Sequence, residues 1–364
     1  MDSIFGEKLH ITISGESHGP SIGVLIEGFP AGEEIDRESL NAFLARRAPG
    51  KSPLSTARKE QDIPQILSGI QNDVTTGDPI RIRFLNHDIR SRDYDDLANV
   101  PRPGHADYTA RLRYGTNIDM RGGGHFSGRL TAPLCAAGGL ALQYLSRRGI
   151  RIGAHILQIG DVKDRVFDPV HVCAKDLETV IHAPFPVLDA DAGKAMQETI
   201  LSARNQNDSV GGKIECAIIG MPGGFGGPMF DGIESRVSSI VFGIPAVKAV
   251  SFGSGEAFAS MTGSSANDPF LIENGKIVTA TNHCGGILGG ISNGMPVLFC
   301  ATFKPTPSIA RPQQSVDLST MQPATLEIKG RHDPCIVPRA VPCIEAAAAC
   351  CMMDLLLTQN ESEE

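Results

Sequence analysis

No stretch of about 18 uninterrupted apolar residues occurs in the 364-residue chain, which argues against a membrane span. The start, MDSIFGEKLHITISGESHGP, has no basic segment followed by an apolar one, so no signal peptide is expected. Nine cysteines occur without a C-x-x-C pair, and Cys350 and Cys351 are adjacent. An odd, unpatterned set reads as reduced, mostly buried thiols and predicts a cytoplasmic protein. There is no G-x-S-x-G turn, so a hydrolase assembled from Ser17, His105 and Asp333 lacks its nucleophile elbow. Metal binding has little support, since His171 and Cys173 have no second pair at ligand spacing. Positive charge is not in excess either. The net charge is −8, which opposes non-specific nucleic-acid binding.

Glycine is plentiful, 40 residues against an average of about 7%. The glycines fall in short patches between helical and strand-like stretches, which predicts close backbone approaches to a ligand or between elements. The first 150 residues are charge-balanced, and their arginines gather in groups: Arg46-Arg47, then Arg81, Arg83, Arg90, Arg92 and Arg102. Such groups on an acidic chain suit a small polyanion, although surface arginines are also common.

Alternation predicts strands at 9–14, 21–28, 63–70, 79–85, 151–159, 213–219, 246–252 and 296–303. Helical spacing predicts 36–47 with Asp36 as its cap, a short helix ending at Gly115, then 128–149, 190–204, 231–242 and 341–358. The helices at 128–149 and 341–358 are apolar nearly all round and read as buried between layers. No linker divides the chain, so a single α/β domain over 1–364 is expected. Its core is placed at about 8–357, with a frayed tail at 358–364.

ARRAPGKS (45–52) satisfies a permissive phosphate-loop pattern. It leaves the end of a helix rather than a buried strand, so it is not an ATP loop. Arg46 and Arg47 remain available to an anion there. In SGESHGP (14–20), Ser17 and His18 sit in a tight turn; His18 suits proton donation to a leaving group or caps the turn. In RPGHADY, His105 opens a helix, where it faces an anion or serves only near the cap. RGGGHFSGR (121–129) offers free glycine amides to an anion, with Ser127 and Arg129 entering the next helix. NHCGGILGGISNG with FKPTPS reads either as a flat-cofactor site, with Lys304, Thr306 and Ser308 on a phosphate, or as a turn-rich hairpin.

Together GESHG, RRAPG, RPGHADYT, RGGG, GGPMFD, GGILGGISNG, KPTPSI and GRHDPC, in this order and spacing from about 8 to 357, resemble the chorismate synthase family. The resemblance implies a β-α-β sandwich, two antiparallel-rich sheets enclosing buried helices, assembled as a homotetramer. It implies anti 1,4-elimination of phosphate from 5-enolpyruvylshikimate 3-phosphate, with reduced FMN and no net redox change. By resemblance, Arg47, Arg102, Arg129 and Arg331 hold the substrate, with Arg46 adjacent. His18, beside Ser17, assists phosphate departure, and His105 supports the anionic flavin. Asp333 and Ser127 belong to the proton network. The matching flavin positions are His125, Phe126, Ser127, Pro245, Ala246, Gly289, Lys304, Pro305, Thr306, Pro307, Ser308 and Arg331. Some members reduce their flavin with NADPH, while others rely on an external reductant. This chain departs from the common pattern at His125, Phe126, Pro53, His283 and Cys284.

Overall fold

The structure, a computed structural model, describes residues 2–50, 54, 62–86, 99–116, 118–328 and 332–360. Alternating residues build the first sheet. Ile22, Val24 and Ile26 face the core from one strand, and Ile80, Ile82 and Phe84 from its neighbour. Arg81 and Arg83 therefore point outward, and Arg83 bonds Gln65 rather than a ligand cavity. The strands run in the order Asp2–Phe5, His10–Gly15, Ser21–Glu27, Ile80–Leu85, Gln65–Ser68, each antiparallel to the next.

The second sheet, also antiparallel, has the order Val247–Phe252, Val297–Phe303, Gly212–Ile219, Arg151–Ile159, Val162–Lys163. Its inner face presents Ile214, Cys216 and Ile218 to the core. Ala217 and Leu298 join a smaller outer cluster with Phe167, Leu177 and Val180.

The helices are α1 (Arg37–Arg47), α2 (Asp107–Tyr114), α3 (Thr131–Arg147), α4 (Ala174–His182), α5 (Ala190–Asn205), α6 (Ile233–Phe242), α7 (Gly263–Ala266) and α8 (Val337–Asn360). α3 packs on the first sheet, α8 on the second, and the two pack on each other. The contact is a backbone one: a Cβ at Gly138 would lie 2.3 Å from the Ala346 Cα. Two sheets thus enclose the apolar helices, as the pattern and the resemblance led us to expect. α8 is long and apolar enough on average to cross a membrane, but 94% of that window is buried within the protein.

The structure corrects the sequence reading at several places. Asp36 caps α1 as expected, through Ser39 N at 3.0 Å. The helix read from 128 begins at Thr131, because left-handed glycines and two 3-10 turns precede it. A hairpin that was not read from the sequence pairs Gln313–Asp317 with Gln322–Leu326. α8 starts four residues earlier than read, since Pro338 falls in its first turn, where a missing N–H costs nothing. Thr358 and Gln359 are helical rather than frayed: Gln359 Oε1 accepts from Gly226 N at 3.1 Å.

Candidate functional site

The glycine triplet sets the site. Gly122, Gly123 and Gly124 have φ of 60°, 93° and 53°, values a side chain would strain. A Cβ on Gly122 would meet His18 Cε1 at 2.4 Å and Ser17 Oγ at 2.9 Å, and one on Gly123 would meet His105 Nε2 at 3.2 Å. The turn is stripped of side chains where two histidines close on it. The Gly123 amide is not free for an anion, since it donates to Met120 O at 2.9 Å. Ser17, fully buried, donates its hydroxyl to Arg121 O at 3.1 Å.

Behind the turn lie three buried arginines. Arg47, the last residue of α1, pairs with Asp62 and donates to Thr131 Oγ1 (3.0 Å) and Gly128 O (2.8 Å). Arg129 pairs with the other Asp62 oxygen and donates to Asn86 Oδ1 at 3.0 Å. Burial alone would raise the Asp62 carboxyl, but Arg47 and Arg129 outweigh it and hold it below the usual carboxylate range. Arg102 forks onto Asp107 with two bonds of 2.7 Å and reaches Ser308 Oγ at 3.3 Å. His105 Nδ1 lies 2.8 Å from Asp107, so its N–H donates there and Nε2 is left toward Gly123. Burial raises the Asp107 carboxyl, yet Arg102 and His105 depress it far below its ordinary value.

These residues surround a cavity of about 660 Å³, in the usual range for small-molecule sites. Arg47, Arg102, Arg129, Lys304 and Arg339 line it against the acids Asp2 and Asp333, so its charge favours a polyanion. Of the expected positions, His105, His125, Phe126, Ser127, Pro245, Ala246, Lys304, Thr306, Pro307, Ser308 and Asp333 also line it. His18 stands just behind Gly122. Pro305 lies within the Lys304–Ser308 run without itself lining the cavity. His125 is held by Gly15 O and Ser3 Oγ, at 2.8 and 2.9 Å, which ties the glycine turn to the first sheet. Ala246 has a left-handed φ of 75°, strain of the kind that collects at binding sites.

Two expectations are not met by the geometry. Arg46 forks onto Glu345 and lines a neighbouring cavity instead. Gly289 is the tip of the hairpin Ile287–Leu288 with Ile291–Ser292, away from the cavity lining, so the hairpin reading holds for that stretch. Ser17, His105 and Asp333 do not form a triad, since each bonds elsewhere. Arg331 lies outside the described residues, as do Arg90, Arg92 and Pro53.

Sequence reasoning missed Asp62 and Arg339. Arg339 donates to Asp333 and, at 3.1 Å, to Arg47 O, joining this acid to the arginine wall. Its burial pulls the guanidinium below its usual value. Arg339 follows the GRHDPC motif by four residues, but only the fold shows what it touches.

A cavity walled by guanidiniums, with two histidines against a glycine turn in a two-sheet sandwich, suits an enzyme that acts on a small polyanion. The family model for chorismate synthase matches residues 9–357, and the chain belongs to that family. The chorismate synthase of Lancefieldella parvula is 44% identical, covering 98% of this chain and 96% of that protein. Those of Thermococcus gammatolerans and Pyrococcus abyssi are each 46% identical, covering 98% and 97% of both chains respectively. A solved structure titled as the crystal structure of chorismate synthase matches the fold. Its TM-score is 0.74 at 24% identity, over 97% of this chain and 93% of that one. The family consists of lyases of aromatic amino acid biosynthesis, and this chain is one of them.

Proposed function

We propose that the basic cavity eliminates phosphate from 5-enolpyruvylshikimate 3-phosphate to give chorismate, with reduced FMN as cofactor. The observation that carries the reading is the convergence of Arg47, Arg102 and Arg129 on one cavity whose glycine turn is packed against His18 and His105. A substrate with two carboxylates and a phosphate needs such a set of guanidiniums. His18 donates a proton as phosphate leaves, and Ser17 anchors the turn that aims it. Asp333, held by Arg339, is the carboxylate that relays the proton lost from the ring.

The residues present fit a flavin phosphate. Thr306 Oγ1 is buried with no hydrogen-bond partner among the described residues, an unusual cost unless a ligand supplies one. Lys304 and Ser308 flank it, Ala246 O accepts from Lys304 N at 2.9 Å, and Ser127 lines the same cavity. When bound, reduced FMN lends electron density as phosphate departs and regains it afterwards. His105, with Nδ1–H fixed by Asp107, would offer Nε2 to the bound flavin. Exposed Met229, Phe230, Phe270, Ile272 and Ile277 support the homotetramer expected from the family, which sedimentation would read directly. Free thiols are consistent with a cytoplasmic site of action.

Phosphate release under anaerobic conditions, with oxidised and photoreduced FMN in parallel, tests the reading. Release only with reduced FMN is expected. Release in neither tube from folded protein would mean a binding protein without the elimination chemistry. A third tube, with NADPH and oxidised FMN, reads whether this protein reduces its own flavin or needs an external reductant.

A further inference from the structure

Cys135 and Cys343 take no part in the chemistry above, yet their sulfurs are 3.8 Å apart and in hydrogen-bond contact. Cys135 lies on α3 and is fully buried, while Cys343 lies on α8, 3% exposed, in the wall of the basic cavity. α3 and α8 approach at backbone distance one helical turn further on, where Gly138 meets Ala346. Residues three apart share a helix face, so the same close approach brings Cys135 and Cys343 together. Closing to a disulfide brings the sulfurs from 3.8 Å to about 2.05 Å.

We infer that Cys135 and Cys343 are a peroxide-oxidisable dithiol that closes to a disulfide between the two central helices, beside the substrate arginines. The partners are unequal, as such a pair requires. The Cys135 thiol donates to Cys343, and Arg47, Thr131 and Arg339 also favour the Cys343 thiolate over the cost of its burial. Burial pushes the Cys135 thiol well above its ordinary value. Cys343 is thus the nucleophile, reachable from the cavity, and Cys135 the resolving thiol.

In the first step the Cys343 thiolate attacks hydrogen peroxide. An S–O bond forms, the O–O bond breaks, and hydroxide leaves with the electron pair. Cys135 sulfur then attacks the sulfenic sulfur and displaces its oxygen as water, with the Cys135 proton ending on that leaving oxygen. Two thiols are oxidised by one peroxide, which is reduced to water. Reduced flavin reacting with oxygen would release peroxide in this same cavity, but the pair needs only peroxide from any source.

The test uses the full-length protein, purified without oxygen and treated with one equivalent of hydrogen peroxide. Alkylation of the remaining thiols, digestion without reductant and mass spectrometry follow. The expected result is a peptide joining Cys135 to Cys343, lost on treatment with dithiothreitol. In Cys135→Ser, dimedone should trap a sulfenic acid at Cys343. Recovery of both residues alkylated, with peroxide spent on exposed Cys173 or elsewhere, would overturn the inference. Should Cys135→Ser fail to fold, the wild-type cross-linked peptide alone decides it.

Discussion

The imidazole of His18 occupies the space a side chain on residue 122 would need: a Cβ at Gly122 would stand 2.4 Å from His18 Cε1. The left-handed φ of 60° at that position adds a second reason for glycine. Gly122→Ala should therefore displace the proton donor while leaving both sheets intact. We expect turnover to fall roughly 10²-fold, the scale of a misplacement near 1 Å, with an unchanged circular dichroism spectrum. Wild-type turnover would show that His18 position does not matter.

His18→Ala tests the role itself. Loss of a leaving-group acid should slow phosphate release by roughly 10²–10⁴-fold. Flavin affinity, read by fluorescence quenching, should remain near that of the wild type. A normal turnover number would remove His18 from the mechanism.

Asp62 lies between two buried guanidiniums, Arg47 and Arg129. Asp62→Asn leaves both without their common carboxylate, and such a break costs about 3–5 kcal/mol. Urea unfolding at neutral pH should show the loss. Inorganic phosphate should restore part of it, by placing an anion against the same arginines. Equal stability of variant and wild type would mean the pair is spent on other partners.

Asp107 fixes His105 and carries a carboxyl held far below its ordinary value by Arg102 and His105 against the opposing effect of burial. A depressed carboxyl stabilises the fold above its unfolded pKa, about 3.9, and that contribution is lost as pH falls through the folded value. Asp107→Asn should thus flatten part of the decline in stability in acid. It should also lower turnover, roughly 10²-fold, because the amide keeps one acceptor oxygen where Arg102 and His105 now share two, and His105 loses its fixed tautomer. An acid profile identical to wild type would contradict this assignment.

His155 is fully buried on the second sheet, between Asp164 at 3.2 Å and Glu215 at 2.8 Å. Burial opposes its charge, but the two carboxylates prevail and raise its pKa. Stability from this group is complete below the unfolded value near 6.5 and is lost as pH rises through the folded one. Thermal melts of wild type should fall on that alkaline side, whereas His155→Gln should be lower at pH 6 and nearly flat above it. Parallel profiles would mean His155 is neutral in the fold.

Much of the architecture was legible locally. Period-two alternation at Ile80, Ile82 and Phe84, the Asp36 cap, and the apolar α3 and α8 each follow from side-chain spacing and backbone hydrogen bonding. The RGGG turn was legible as a special place, but the close approaches that require its glycines were not. Its glycines make room for His18 and His105, and a clash such as that of Gly122 with His18, more than 100 positions away, leaves no local mark. Arg46 and Arg47 illustrate the same limit. Adjacent helix residues point about 100° apart, so one enters the cavity and the other pairs with Glu345.

The sequence by itself determined the elements, the buried character of the central helices and, through its ordered motifs, the family. Only the tertiary structure decided which charges meet. Asp62 between Arg47 and Arg129, Arg339 on the Arg47 carbonyl, and Cys135 against Cys343 all join separate segments. Propensity and periodicity act over a few residues, whereas desolvated ion pairs and sulfur contacts depend on how whole layers pack.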